Sequence, residues 1–386
     1  MSAGPLEGVR VVELAGLGAT PFAGMLLADM GADVVLVERP ARWDPRAGMA
    51  PRNVLTRSRR SIAVDLKHPD AVEAVLRMVA RADILIEGYR PGVAERLGLG
   101  PDDCLARNPA LVYGRMTGWG QDGPLAQAAG HDIVYIALTG VLGQLGRPDE
   151  RPPPPLNAIG DFGGGAVFCA MGVLAALLEA RASGQGQVVD AAMVDGAATF
   201  TTMLHEMAAE GQWSGVRGTD LINGGAHFYE VYETADGKHV AVGAIEVEFY
   251  AELLAAIGVE DPGMASRLDR AQWPMMKERL AAAFRTRTRA EWVELLEGTD
   301  ACFAPVLDLD EATQHPHNVA RGTFTKVGGV TQAAPAPRFS RTPSGPARPR
   351  PDQGEHTAQV LAEVGYSEAE IQKLREMGAV GVTERQ

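Results

Sequence analysis

The chain has 386 residues, a length that suggests two domains or one large domain with a smaller companion. Hydrophobic residues make up 46% and charged residues 22%, an ordinary globular balance that excludes a wholly disordered chain. With 36 Lys and Arg against 49 Asp and Glu, the net charge of -13 excludes a general nucleic-acid binder, which needs excess positive charge to follow phosphates.

In chain order, apolar patterning predicts a strand over 9–14 (VRVVEL), a helix over 21–30 (PFAGMLLADM) and a second strand over 33–38 (DVVLVE). After a loop, helical spacing over 70–81 precedes strands over 83–87 (DILIE) and 110–113 (ALVY). Strands separated by helices of this length predict βαβ units and a parallel sheet. The expected fold is therefore α/β, with a large Rossmann-like domain over 1–191.

Residues 147–155 (RPDERPPPP) read as a rigid connector, 161–180 as an apolar helix opened by glycines, and 191–211 as another helix within a linker region, 192–226. The uncharged run 162–178 holds four glycines and is marginal for spanning a bilayer, so it is expected to be a buried helix, with no membrane partner. From 227 the pattern changes. HFYEVYE, a turn at Ala235, Asp236, Gly237 and Lys238, and HVAVGA predict a hairpin. Helices over 247–257, 273–284 and 290–296 complete a smaller α+β domain, 227–320. Residues 335–351, with six prolines, four arginines and no acid, predict an extended arm. Helices over 357–364 and 368–377 close the C-terminal segment, 321–386.

The cysteines, Cys104, Cys169 and Cys302, form no CxxC pair, which argues against a disulfide framework or a cysteine zinc site and for a reducing compartment. The start, MSAGPLEGVRVVEL, lacks signal-peptide features, so a cytoplasmic location is expected. The best approach to a metal cluster, His315-Pro316-His317, reads as surface loop, and no metal is expected.

Gly16-Leu17-Gly18-Ala19-Thr20-Pro21 offers two glycines of a dinucleotide fingerprint, but Pro21 replaces the third, where close helix–strand packing needs glycine. Pro21 reads as the first residue of a helix. Glu38 has the place of a ribose-binding acid, yet Arg39 follows it; a scaffold without nicotinamide is the better reading. Between 39 and 67 lie Arg39, Arg42, Arg46, Arg52, Arg57, Arg59, Arg60 and Lys67 against only Asp44 and Asp65. Because ligands in open α/β sheets bind beyond the strand C-termini, this window suggests a grip on a small phosphorylated ligand. Its alternative is a loop whose arginines balance acids elsewhere. His131 follows Gly130 at a helix start, Asp161 lies in IGDFGGG before the apolar helix, and Glu246 stands between a strand and a helix. Each could simply be a cap.

Together these segments resemble a family. VVELAGLGATPFAGMLLADMGADVV, SRRSIAVDLK, ADILIEGYRPGVAERLGLGP, YGRMTGWGQDGPLAQAAGHDIVYIALTGVL, GDFGGG, GQGQVVDAAMVDG and GAIEVEFYAEL, in this order, resemble the α-methylacyl-CoA racemases of the class III CoA-transferase group. The resemblance implies an acid/base pair of His131 and Asp161, with Glu246 against the histidine. It implies acyl-CoA contacts at Arg39, at Val64, Asp65, Leu66 and Lys67, at Gly88, Tyr89 and Arg90, at Arg96, and along Gly130, Asp132, Ile133, Val134 and Tyr135, with Gly160 at a variable position beside the aspartate. It also implies an interlocked homodimer whose C-terminal segment returns to the large domain. The only partners expected are a second copy and an acyl-CoA thioester of lipid metabolism. No cofactor beyond the substrate's CoA is expected. Racemisation needs two bases flanking one carbon, and the Asp161 amide is the expected donor to the enolate oxygen. The alternative is a CoA-transferase in which Asp161 attacks the thioester.

Overall fold

A computed structural model describes residues 4–40, 54–261 and 267–381. The chain divides into two units: Met1–Thr139, Pro155–Phe200 and Arg321–Gln386 form the first, Gly140–Pro154 and Thr201–Ala320 the second. Residues 140–154, expected in the large domain, group with the second unit, and 192–200, expected in a linker, group with the first.

The first unit opens with β1 (Arg10–Leu14), α1 (Ala19–Asp29) and β2 (Asp33–Glu38), close to expectation. α1 begins two residues early, so Pro21 occupies its third position, where the amide has no helical acceptor to lose. β3 (Arg60–Val64), not expected from the sequence, lies inside the basic window 39–67. There follow α2 (Pro69–Val79), β4 (Ile84–Glu87), α3 (Val93–Arg96), α4 (Pro101–Arg107), β5 (Val112–Thr117) and α5 (Asp132–Leu138). After an excursion through the second unit, a π-helical segment, Ala158–Val167, runs into α6 (Phe168–Ser183). Asp161 therefore stands within the first turn, and the alternative that it is simply a cap does not hold. β6 (Val188–Ala192) follows, and the stretch read as one helix over 191–211 takes in its last two residues, then α7 (Met193–Thr199) and, in the second unit, α8 (Thr202–Ala209).

The second unit continues with the expected hairpin, β7 (Tyr229–Glu233) against β8 (His239–Gly243). Then come α9 (Val247–Ile257), α10 (Trp273–Phe284), α11 (Arg289–Leu296) and a short β9 (Phe303–Pro305), which adds antiparallel to β8. α12 (Leu309–Gln314) and α13 (Pro316–Arg321) are joined at His315, whose Nε2 meets Glu297 at 2.7 Å. The core of this unit gathers Phe228, Tyr232, Tyr250, Trp273, Phe284 and Trp292.

The chain returns to the first unit through a hairpin of β10 (Phe324–Val327) and β11 (Val330–Ala333), then α14 (Thr357–Glu363), α15 (Glu368–Glu376) and β12 (Val380–Gly381). The arm before α14 carries no helix or strand over 334–351, as its prolines require. Its Arg348 guanidinium donates to the Ser58 carbonyl.

The large sheet has the order β12-β3-β2-β1-β4-β5-β6, parallel throughout except for β12 against β3. Alternate residues of β1 point to opposite faces: Val12 and Leu14 join a layer with α2, α14 and α15, whereas Val11 joins one with α1 and α6. Burial on both faces explains why the central strands read as unbroken apolar runs. The strand order reverses between β1 and β4, so the turns after these two strands frame the crevice where such sheets hold ligands.

Candidate active site

The two turns meet directly. A side chain at Gly88, just after β4, would run into the Thr20 hydroxyl in the first turn of α1. Gly18, the residue before α1, has φ +58°, and a Cβ there would lie 2.9 Å from Asp161 Oδ2. The second glycine of the apparent fingerprint thus admits a carboxylate of this chain rather than a nucleotide phosphate. Phe162, the next residue, stacks on Phe22 of α1 with ring centroids 4.3 Å apart. That stacking and the Gly18 contact seat Asp161 at the topological switch point.

Asp161 is half-buried, and burial raises its carboxyl above the usual aspartate range. Asn157, one turn earlier, opposes this with a 3.3 Å hydrogen bond to Oδ2; the negative charge of Asp132 raises it further and His131 draws it down. His131 is exposed and extended (φ -139°, ψ 169°) immediately before α5. His131 and Asp161 are thus within electrostatic reach of each other at the crevice. Tyr135, one turn into α5, also feels both Asp161 and Arg90, and burial raises its hydroxyl first.

The expected enolate donor is corrected here. The Asp161 amide donates to Asp132 Oδ2 at 2.7 Å, and the Gly160 amide to the same oxygen at 2.6 Å. The free amides next to His131 are those of Asp132 and Ile133, which open α5 without an acceptor among the described residues.

The basic window divides sharply. Arg57 forks onto Asp29 at 2.5 and 3.1 Å, and Arg59 meets Glu13 at 2.7 Å, all four side chains being buried. Arg59 also donates to the Leu55 and Pro21 carbonyls. Arg60 bridges Asp33 and Glu363. These three arginines brace the sheet and are not offered to a ligand. Arg42, Arg46 and Arg52 lie outside the described residues. Arg39 and Lys67 are exposed and make no ion pair among the described residues. Glu38, the candidate ribose acid, accepts the Ser61 hydroxyl.

The remaining expected contacts are mixed. Val64 is buried and paired with Val380, so only its backbone could face a ligand; Leu66 packs partly into the core, and the Asp65 carboxylate accepts the Lys67 amide. Gly88, Arg90 and Arg96 are exposed, Tyr89 and Gly130 half-buried. Glu87 fixes the start of that loop: its Oε2 accepts the Tyr89 amide at 2.6 Å and its Oε1 the Arg115 Nε at 3.1 Å, while Arg115 reaches Glu95 at 2.9 Å. Burial lifts the Glu87 carboxyl to about 7, against these donors. Ile133 and Val134 are exposed, but the Tyr135 ring turns inward against Gly118 and Gly130 and meets Trp119 edge-on.

Glu246, in the second unit, is exposed at the residue before α9 and makes no side-chain cap bond there, so capping does not account for it. Its charge, after partial burial, helps raise the Cys302 thiol. No cluster of three metal-ligating side chains occurs among the described residues. Sequence reasoning missed the parts played by Gly18, Asn157 and Asp132. The Asn157–Asp161 spacing of four was the one available signal, and it speaks only once the helix is known to begin at Ala158.

The chain matches the model of CoA-transferase family III over residues 6–357. This protein belongs to CoA-transferase family III. It is 48% identical over 371 residues to a protein of Mus musculus named alpha-methylacyl-CoA racemase, covering 96% of each chain. A Homo sapiens protein of the same name is 43% identical over 372 residues, again with 96% of each covered. Among solved structures, a CAIB/BAIF family protein from Brucella suis superposes with a TM-score of 0.80 at 26% identity, over 94% of this chain and 100% of that one. The mixed α/β architecture built on a largely parallel sheet is therefore the family's own.

Proposed function

We propose that this family III protein is an α-methylacyl-CoA racemase, interconverting the (2R) and (2S) thioesters by moving a proton from one face of the α-carbon to the other. The observation that carries this reading is the pairing of His131 with an Asp161 carboxyl whose affinity for protons is raised. Two bases that exchange protonation states each turnover work best when their pKa values converge. A raised carboxyl approaches imidazole. In one direction His131 takes the α-proton and Asp161 returns one to the opposite face; in the other the roles reverse. The amides of Asp132 and Ile133 are the donors beside His131 left to meet the enolate oxygen. This proton-transfer chemistry needs no metal or redox cofactor. Arg39, Lys67, Arg90 and Arg96, all exposed, are proposed to meet the CoA phosphates.

The working form is proposed to be a homodimer. Val167, Met171 and Leu178 stand 46, 56 and 71% exposed along the π-helical segment and α6, an apolar stripe that a second copy would cover. By length and composition 158–183 could also cross a bilayer, but its other face packs into the core of the first unit. An active monomer in sedimentation at low micromolar concentration would exclude the dimer.

Isotope exchange tests the reaction. In D2O the wild type should place deuterium at the α-carbon of either epimer with no acceptor acid present. His131→Ala and Asp161→Ala should each lose epimerisation, and one of them should retain exchange on a single epimer. A transferase would instead yield an Asp161 hydroxamate when turnover is trapped with hydroxylamine, tolerate His131→Ala, and incorporate no deuterium.

A further inference from the structure

We infer that Asp132 is a positioning residue that sets the spacing between His131 and Asp161, by holding the backbone of the second from the position next to the first. The inference rests on the proton-transfer reading above. The Asp132 side chain is 96% withdrawn from solvent by residue, at 4% exposure, although it stands at the opening turn of a surface helix. Its Oδ2 receives both the Gly160 and Asp161 amides, at 2.6 and 2.7 Å. Charge-assisted bonds this short fix geometry more firmly than neutral ones do.

The two amides belong to the first turn of the π-helical segment, Ala158–Val167, whose leading N–H groups have no acceptor of their own. A residue 28 positions away in sequence supplies that acceptor for one amide, and the same oxygen serves the next. One peptide link therefore separates His131 from the carboxylate that grips the main chain of Asp161. Few covalent degrees of freedom remain between the two bases. A shift of the α5 opening moves both together and preserves the gap in which an α-carbon must fit.

Substrate binding explains the same carboxylate poorly. Oδ1 is buried without a hydrogen-bond partner, so neither oxygen is presented at the surface. A carboxylate is also an ill-chosen neighbour for a thioester oxygen or a phosphate, since each is an acceptor. A side chain at Gly160 would itself come within 2.8 Å of Oδ2, so the grip leaves little room for anything else.

The experiment uses the full-length protein and two variants, Asp132→Ala and Asp132→Asn, assayed by α-deuterium incorporation with an α-methylacyl-CoA. Asparagine keeps an acceptor oxygen for the two amides and alanine keeps none. Alanine should lower kcat by roughly a hundredfold, the cost of misplacing a reacting group by about 1 Å, and move KM by less than about threefold; asparagine should recover most of kcat. Wild-type kcat in the alanine variant would overturn the inference. So would equal damage by both variants carried mainly in KM, which is the mark of a substrate contact. Amide hydrogen exchange across 155–165 reads the clamp without any turnover. In wild type the Gly160 and Asp161 amides should be protected, and rapid exchange there would refute the clamp even if the alanine variant fails to fold. If protection is found but wild type incorporates no deuterium, the racemase reading fails and the clamp stands.

Discussion

His227 should make the second unit sensitive to mild acid. It is fully buried, its Nε2 lies 2.8 Å from the Tyr250 hydroxyl, and that hydroxyl donates to Asp261 Oδ2 at 2.8 Å. With the tyrosine proton committed to the carboxylate, the imidazole must donate from Nε2, leaving Nδ1 as a bare acceptor. Nδ1 is buried without a partner. A second proton would have to settle there, in an apolar setting between Phe228 and Tyr250. Burial accordingly lowers the pKa from 6.5 to about 4; Asp261 pulls upward and Lys277 adds to the fall. The unfolded chain binds this proton below pH 6.5 and the folded chain only near pH 4. The stability from neutral His227 is therefore complete above pH 6.5 and is lost as pH falls from 6.5 to 4, by about 3 kcal/mol. Glu13 and Glu87, each raised to about 7, titrate over the same range with the opposite effect, since their folded carboxyls hold protons that the unfolded chain releases from pH 4.5 upward. The His227 part must therefore be isolated by difference. His227→Gln retains an N–H for Tyr250 and cannot titrate. Urea unfolding of both proteins between pH 7.5 and 4 should show the wild type losing about 3 kcal/mol relative to the variant. Parallel stability curves would refute the burial argument.

The arginines of the basic window should separate by readout. Arg59→Ala should cost roughly 3–5 kcal/mol of unfolding free energy by stranding buried Glu13, with KM for acyl-CoA unchanged in the fraction that folds. Arg39→Ala should raise KM with no more than about 0.5 kcal/mol lost; an unaltered KM would remove Arg39 from the site. Gly18→Ala should fold with about 1–3 kcal/mol of backbone strain but lose roughly tenfold or more in kcat, because its Cβ would lie 2.9 Å from Asp161 Oδ2. Full activity in that variant would separate Gly18 from the placement of Asp161.

Much of the fold was legible because burial on two faces leaves a plain mark. β1, β2, β4 and the β7–β8 hairpin are runs or alternations of apolar residues, and each was expected close to its observed place. β3 was hidden by the arginines at its threshold, and β6 (VVDAA), preceded by GQGQ, was passed over, its last two residues being taken for the start of a helix. The arginines misled for one physical reason. Net charge in a window counts side chains without their partners, and Glu13, Asp29 and Asp33 lie on elements brought alongside only by folding. For Arg57, Arg59 and Arg60, composition pointed to a ligand where the structure has ion pairs.

The site was less legible, and residue type explains why. A histidine before a helix and an aspartate near a helix start have ordinary structural uses, so only the resemblance singled them out. Folding supplies what neither motif contains: a crevice at the strand reversal, a glycine that admits the Asp161 carboxylate, and Asp132 fastened to its backbone. The same arrangement bears on which chemistry of the family this chain performs. A carboxylate that must attack a thioester gains from being ionised, and a site built for that would surround it with donors. Around Asp161 the weak donor Asn157 at 3.3 Å and the exposed His131 are set against burial and the negative charge of Asp132, and the pKa rises. An elevated carboxyl is a poorer standing nucleophile but a better proton donor. Beside an imidazole, it favours the exchange of protons over the transfer of CoA.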